Sequence, residues 1–323
     1  MEYTMCPKNF WLKKHKPEIF EGIEISEFQK EIILNGQIVD KGSMNLFPDG
    51  ELVKTENHIG LLDYSKELVA KRNGTIFQAS FERNGFFARP DILHFNEEIG
   101  SWELYEVKAT NSVKKSPNSH IKDLAFQKIV LQYNDIDISH VGVIHLNREY
   151  RRHGELNYTN LFQETDVTIQ VENEESIVNT EMTDLKNYLK MPEKQGCGCL
   201  YNGRNSQCQT FAYSNPQIPD YSVHNISRIG TSKKILADWI NRNIYSIDDI
   251  DNPEVLKGYK HLQYIAHIEG QAIVNSQEIL NILKDLEFPI HFLDYETYSS
   301  AIPEFDGFTP WQQIPFQYSI HIL

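Results

Sequence analysis

The chain has no apolar run of about 18 residues, which is the length that a membrane-spanning helix needs. Its first residues also lack the basic start and apolar stretch of a secretory signal, so the cytoplasm is the expected compartment. Basic residues are in the minority, because 31 Lys and Arg stand against 45 Asp and Glu. This acidic balance disfavours a protein that coats nucleic acid, but it leaves open an enzyme with a local basic channel.

Cysteine is scarce. Stable disulfides are rare in the cytoplasm, so the cysteines are expected to be free thiols or metal ligands. The hydrophobic share of 40% and the charged share of 24% are those of a globular protein, which excludes disorder of the whole chain. A length of 323 residues suggests about two domains. The four cysteines are Cys6, Cys197, Cys199 and Cys208.

The clearest hydrophobic patterning predicts one α/β unit between about residues 59 and 146. Asn84-Gly85 is the strongest hairpin-turn signal in the chain. The predicted order is α-β-β-β-α-β. The six elements are predicted at residues 59–72, 75–83, 86–94, 102–108, 118–133 and 140–146.

Two of these strands carry residues suited to metal-dependent chemistry. Side chains alternate along a strand, so Glu106 and Lys108 share one face, and Asp91 can lie beside Glu106 if the two strands are neighbours. Asp91 and Glu106 offer hard oxygen ligands for Mg²⁺ or Mn²⁺, and the carbonyl of Val107 can add another. Lys108 can orient a nucleophilic water or stabilise phosphate oxygens. Acid-x-Lys triplets also form simple cross-strand ion pairs on exposed strands, and that alternative stays open.

Asp91, Glu106 and Lys108 together resemble the PD-(D/E)xK motif of restriction-endonuclease-like nucleases, specifically the RecB-like exonuclease branch. The resemblance covers about residues 1–210. It implies a restriction-endonuclease-like core and metal-dependent hydrolysis of DNA, single-stranded or with free ends. The branch has a glutamine on the following helix, which Gln127 matches, while Leu131 stands where a tyrosine is usual.

Other acids and an upstream residue complete such sites. Glu82, on the strand before Asp91, is an accessory candidate for the metal. The upstream motif of the family lies on an early helix, and its candidates here are Gly36-Gln37 or His58.

The spacing of the cysteines, one near the start of the chain and three about 190 residues later, predicts one four-ligand site. Four soft thiolates suit a tetrahedral zinc or an iron–sulfur cluster, and unliganded thiols are the remaining alternative. The arrangement resembles the iron–sulfur variety of RecB-like nucleases, which includes AddB-type and CRISPR-associated exonucleases. That resemblance implies a structural 4Fe–4S cluster that clasps the two ends of the nuclease domain.

A second carboxylate pair, Asp294 and Glu296, ends an apolar strand and resembles the start of RNase H-like exonucleases of the DEDD type. Two-metal sites need further carboxylates, and only Glu304 and Asp306 follow, so this site is expected to be incomplete. A strand end with two solvated acids is the alternative. Residues 303–323 also resemble an uncharacterised bacterial family in which a RecB-like iron–sulfur nuclease precedes such a region.

The sequence thus predicts a nuclease domain at 1–225, a helical connector at 226–286 and the beginning of an RNase H-like domain at 287–323. The expected function is a divalent-metal-dependent nuclease acting on DNA, with no membrane partner. One alternative is a non-catalytic nucleic-acid-binding module. Another is a zinc-stabilised nuclease domain that serves a second, C-terminal exonuclease. The basic clusters 13–16 and 114–115 are expected to contact phosphates or to be solvated faces.

Overall fold

The structure is a computed structural model that describes residues 2–55, 57–113 and 120–323. This part of the chain forms a mixed α/β fold, as the patterning predicted. The strands are β1 (Glu51–Leu52), β2 (Thr75–Phe77), β3 (Phe81–Arg83), β4 (Phe86–Ala88), β5 (Ile92–Asn96), β6 (Ser101–Lys108), β7 (Ile138–Leu146), β8 (Phe162–Asp166), β9 (His291–Tyr298) and β10 (Ile314–Ile322).

Eleven α-helices accompany these strands in the described ranges. They are α1 (Glu2–Met5), α2 (Pro7–His15), α3 (Glu27–Ser43), α4 (His58–Ala70), α5 (His120–Gln132), α6 (Tyr158–Leu161), α7 (Thr168–Leu189), α8 (Phe211–Ser214), α9 (Lys233–Asn241), α10 (Tyr259–Glu269) and α11 (Ser276–Lys284). The predicted basic pair 114–115 and the first residues of the helix predicted at 118–133 lie outside the described residues.

The main sheet has six strands in the order β1-β2-β5-β6-β7-β8. β5 is antiparallel to both β2 and β6, whereas β6 and β7 run parallel. A parallel pair needs a crossover connection, and α5 lies in the segment between β6 and β7. The sheet is therefore mixed, and β6 lies inside it with a partner on each side.

Alternation along β6 separates a core face from a polar face. Tyr105 and Val107 pack in one buried cluster with Val39 of α3 and Ile144 of β7. Glu106, between them in sequence, points the other way and meets α5 through a hydrogen bond from Gln127. Glu106 is nevertheless almost fully buried, with only 6% of its surface exposed.

The strands predicted at 75–83 and 86–94 are wrong as continuous strands, because each breaks in two. Gln78, directly after β2, has a φ of +56°, which takes the chain out of the main sheet. The excursion is the separate hairpin of β3 and β4, and its turn has positive φ at both Asn84 and Gly85, so the predicted turn is confirmed. The chain re-enters the sheet at Ile92, immediately after Asp91.

The chain divides into two compact units. We call Ile25–Thr183 with Phe292–His321 the sheet unit, and Met1–Glu24, Asp184–His291 and Ile322–Leu323 the helical unit. These units interleave along the chain, whereas the predicted ranges 1–225, 226–286 and 287–323 are consecutive. Those ranges remain a prediction.

The helical unit has its own apolar core, centred on Trp239 and Leu236 of α9, neither of which is exposed. The indole nitrogen of Trp239 donates to Asn252 Oδ1 at 2.9 Å, so the buried ring keeps its hydrogen bond. The segment predicted as helical between 226 and 286 contains α9, α10 and α11, with turns and short 3₁₀ pieces between them.

Within the described residues, every helix is too short or too polar to cross a bilayer.

Candidate active site and four-cysteine centre

The bend before β5 brings Asp91 against β6. Ile92 pairs with Tyr105 in the antiparallel register, which sets Asp91 beside Glu106 at the end of the pair. Asp91 Oδ2 accepts a hydrogen bond from the backbone N–H of Val107 at 2.8 Å. The two predicted carboxylates therefore lie side by side, with Asp91 immediately before β5 and Glu106 on the neighbouring β6, and Asp91 is bonded to the backbone of the triplet that carries Glu106 and Lys108.

Glu106 is the centre of the polar face of β6. The ammonium of Lys108 donates to Glu106 Oε1, and Gln127 Nε2 donates to Glu106 Oε2 at 2.7 Å. Lys108 also lies 3.9 Å from Asp123 Oδ2 on α5. The structure thus brings the four predicted side chains, Asp91, Glu106, Lys108 and Gln127, to one place.

Gln127 leaves one atom without a partner. Its side chain is 6% exposed, and its Oε1 is a buried acceptor that finds no hydrogen-bond donor among the described residues. Buried polar atoms are normally satisfied, so an orphan acceptor among the described residues points to a further donor at this place, such as water held by a bound ion.

Asp40 and Gln78 belong to the same network, although the sequence did not single them out. Gln78 Nε2 donates to Asp40 Oδ2 at 3.1 Å and to Asp91 Oδ1 at 3.0 Å. Asp40 lies on α3, one turn after the predicted Gly36-Gln37. In that helix Gln37 is exposed, whereas Asp40 reaches the cluster, so the helix of the upstream candidate contributes a residue other than the predicted pair.

The charges in this cluster do not balance. Burial, followed by repulsion from Asp40, raises the pKa of Asp91 to about 6. Burial, followed by repulsion from Asp91, raises the pKa of Glu106 to about 8, and the ion pair with Lys108 only partly offsets this. Burial and Glu106 likewise raise the pKa of Asp40. Lys108, and Arg89 near Asp40, offset only part of the repulsion among these carboxyl groups.

This donor set fits a hard divalent cation. Mg²⁺ and Mn²⁺ prefer carboxylate oxygens and keep several waters. A divalent ion would relieve the repulsion that raises these pKa values, and its water would offer a donor to Gln127 Oε1. Asp91, Glu106 and Asp40 are the side chains that could hold it, and the role of the Val107 carbonyl stays a prediction.

Two other predicted residues pair with each other. Glu82 pairs with His58 at 2.8 Å, and both side chains are well exposed. These two therefore form a surface pair between β3 and α4, and their roles as accessory acid and upstream residue remain predictions. In the basic cluster 13–16, Lys13 pairs with Glu2 and Lys16 with Glu193, so these ammonium groups already have carboxylate partners.

The second carboxylate pair lies on β9, which is exposed along its whole length. Asp294 Oδ1 accepts from the backbone N–H of Tyr295 at 3.0 Å. The two acids that follow have other partners: Glu304 accepts from the hydroxyl of Tyr298, and Asp306 accepts from the N–H of Gly154 at 2.8 Å. The prediction of an incomplete site at Asp294 and Glu296 remains a prediction.

The four cysteines form a separate centre in the helical unit. Their sulfur atoms all lie within 4.8 Å of one another, and those of Cys197 and Cys208 are 3.9 Å apart. Cys6 and Cys199 are buried, and all four thiols are free of disulfides. The group is compatible with a metal centre, either zinc or iron–sulfur.

Local structure positions both sides of this centre. Cys6 is the N-cap of α2, where its sulfur accepts from Asn9 N at 3.4 Å. The side-chain oxygen of Asn9 accepts from Thr210 Oγ1 at 2.8 Å, which joins α2 to the segment after Cys208. Asn215 Nδ2 donates to the sulfur of Cys197 at 3.3 Å. Hydrogen bonds from the other three thiols, with a smaller contribution from Asn215, lower the pKa of Cys197.

Comparisons with known proteins add one finding. Residues 291–323 match a family model described as a domain of unknown function, DUF2779. No curated protein and no solved structure matches the chain at a significant level. The match covers β9 and β10 but neither of the two centres described above, so the inference about their chemistry depends on the geometry.

Proposed function

We propose that this protein is a divalent-metal-dependent nuclease that hydrolyses DNA phosphodiester bonds. One observation carries the proposal: Asp91, Glu106, Lys108 and Gln127, predicted as a set from the sequence, are linked through Glu106 and the backbone of Val107. An isolated ion pair between Glu106 and Lys108 would need neither Asp91 nor the buried amide of Gln127.

The fold agrees with this assignment at the level of element order. Leaving out the short β3–β4 hairpin, the chain runs α4, β2, β5, β6, α5 and β7, which is the α-β-β-β-α-β order of a restriction-endonuclease-like core. In that core the acidic residues come from the second and third strands. Here Asp91 immediately precedes β5 and Glu106 lies on β6.

The side chains divide the work as follows. Asp91, Glu106 and Asp40 would bind Mg²⁺ or Mn²⁺, which supplies an acidified water and neutralises charge on the phosphate. Lys108 presents its ammonium beside Glu106, where it stabilises the phosphate oxygens and orients the attacking water. Asp123 restrains Lys108 from α5. Gln78 holds Asp40 and Asp91 in their relative positions through its two hydrogen bonds.

DNA that is single-stranded or has free ends is the proposed substrate, with exonucleolytic cleavage as the proposed mode. The resemblance to RecB-like exonucleases supports both points. The four-cysteine centre is assigned a structural role within the helical unit. The resemblance implies a 4Fe–4S cluster there, and zinc is the alternative.

The experiment is a titration of Mg²⁺ and Mn²⁺ with end-labelled single-stranded DNA, using the wild-type chain and the variant Glu106→Gln. Glu103→Gln is the matched control, because Glu103 lies on the same strand but pairs with Asn96 and Tyr105. Cleavage by the wild type and the control, with none by Glu106→Gln, supports the proposal. Metal-independent binding of DNA without cleavage would instead indicate a nucleic-acid-binding module, and cleavage of RNA alone would reassign the substrate.

A further inference from the structure

The spacing of the four sulfur atoms distinguishes between the two kinds of metal centre. Every pair of cysteine sulfurs in the set lies within 4.8 Å, and the Cys197–Cys208 pair is at 3.9 Å. A tetrahedral ion with metal–sulfur bonds of about 2.3 Å holds its thiolates about 3.8 Å apart. A four-iron cluster inserts irons and sulfides between the thiolates, which holds them about 6 Å apart.

The polar surroundings fix the sulfurs in this compact arrangement. Cys6 is held by the first turn of α2 through the N–H of Asn9, and Cys197 by the side-chain amide of Asn215. Thr210, two residues after Cys208, bonds to Asn9 with both its N–H and its hydroxyl. Widening the site to the size of a cluster would have to pull Cys208 and Cys6 apart against these bonds.

The N–H groups that point at sulfur are those a thiolate site needs. Four thiolates around one divalent ion carry an excess of negative charge, and hydrogen bonds from outside the ligand set stabilise that charge and orient the ligands. Asn9 and Asn215 supply two such bonds, to two different cysteines. The side chain of Asn215 is fully buried, and its amide nitrogen is shared between the sulfur of Cys197 and the carbonyl of Phe211 at 3.0 Å, which fixes its orientation towards the site.

From this geometry we infer that Cys6, Cys197, Cys199 and Cys208 bind one tetrahedral metal ion, zinc by preference, rather than a four-iron cluster. The ion joins the N-terminus of α2 to the segment 197–208 inside the helical unit. Because ligands from sequence positions this far apart meet only in the folded unit, binding free energy becomes folding free energy. The inference is independent of the proposed nuclease activity.

The first test measures metal and acid-labile sulfide in the full chain, produced with ample iron and purified anaerobically without a metal-affinity column. The inference predicts about one metal ion per chain and no sulfide. Iron and sulfide in roughly equal amounts, at several of each per chain, would overturn it. Protein that holds no metal at all would also overturn it.

Zinc can replace a lost cluster during purification, so a second test starts from the metal-free chain. Parallel samples receive Zn²⁺, Co²⁺, or iron with sulfide under anaerobic conditions. We expect one equivalent of Zn²⁺ to restore the thermal unfolding temperature and Co²⁺ to give the intense visible bands of tetrahedral thiolate coordination. Restoration by iron with sulfide, and not by zinc, would refute a single-ion site.

Two variants separate this centre from the nuclease site. Cys199→Ser should lose the metal, and Lys108→Ala should retain it at the wild-type stoichiometry. Metal loss in Lys108→Ala would mean that the assay reports general misfolding. Retention of the metal by an inactive wild-type chain would leave the single-ion site standing while the proposed nuclease function failed.

Discussion

Gln127 donates a hydrogen bond of 2.7 Å from Nε2 to Oε2 of Glu106, across from α5 to β6. The other carboxylate oxygen of Glu106 accepts from Lys108. Both oxygens of this nearly buried group are thus engaged, and the orientation of the carboxylate is set by two elements of the fold at once. Oε1 of the same Gln127 amide is buried and finds no hydrogen-bond partner among the described residues.

Gln127→Leu should impair metal-dependent cleavage without unfolding the protein. Loss of a side chain that orients a metal ligand typically costs about 10–100-fold in metal affinity or activity. The expected signature is a rise in the Mg²⁺ concentration needed for half-maximal cleavage. Gln132→Ala, at the exposed end of the same helix, is the control. An unchanged metal requirement in Gln127→Leu would remove this residue from the site.

Asp40→Asn tests the residue that the structure adds to the predicted set. Asp40 shares the amide of Gln78 with Asp91, and it contributes negative charge to the cluster. We expect at least about a tenfold loss of cleavage at limiting Mn²⁺, on the scale seen for groups around metal ligands. Asp63→Asn on the exposed side of α4 serves for comparison. Equal activities for the two variants would show that Asp40 has no role in metal-dependent cleavage.

The metal-free protein should lose stability as the pH rises. Folding raises the pKa of Glu106 to about 8, so the folded state holds this proton more tightly than the unfolded chain does. The protonated carboxyl of Glu106 therefore contributes fully to folding stability below its unfolded pKa of about 4.3. This contribution is lost as the pH rises through its folded pKa of about 8. Glu106→Gln removes this contribution of Glu106 to the pH dependence of stability. In EDTA, the unfolding temperature of the variant should exceed that of the wild type by an amount that grows between about pH 5 and about pH 9.

Glu103→Gln should change the stability in the opposite direction from Glu106→Gln. Hydrogen bonds from Asn96 and Tyr105 outweigh burial and lower the pKa of Glu103, so its ionised form stabilises the fold above the unfolded pKa. This variant should be less stable than the wild type at neutral pH, with a difference that stays flat up to about pH 9. A difference that grew with pH in both variants would show that the effect belongs to general charge and not to the site.

Much of the site could be predicted from local sequence, because it depends on the alternation of side chains along a β-strand. The triplet Glu106-Val107-Lys108 fixes which side chains share a face once β6 exists, and Asn84-Gly85 fixes a turn that needs positive φ at both residues. The same reading predicted the α/β class and the convergence of four cysteines.

The parts of the fold and of the site that the sequence did not predict depend on tertiary contacts. The break at Gln78 requires a positive φ at a residue other than glycine, which no propensity predicts. That break sends Gln78 towards Asp91 and lets it reach Asp40, which is separated from it by 38 positions in the chain. The compact spacing of the sulfurs was equally invisible, since residue type fixes the ligand chemistry but not the distance between sulfur atoms.

The most direct measurement compares the cleavage rates of Lys108→Ala and Lys122→Ala on end-labelled single-stranded DNA at saturating Mg²⁺. The two lysines are equally exposed, and each pairs with a glutamate, Glu106 for Lys108 and Glu181 for Lys122. The account predicts that Lys108→Ala lowers the rate by roughly 10²–10³-fold, the usual cost of removing one charge-stabilising group. It predicts a rate near that of the wild type for Lys122→Ala. Undiminished cleavage by Lys108→Ala, with both variants folded, would contradict it.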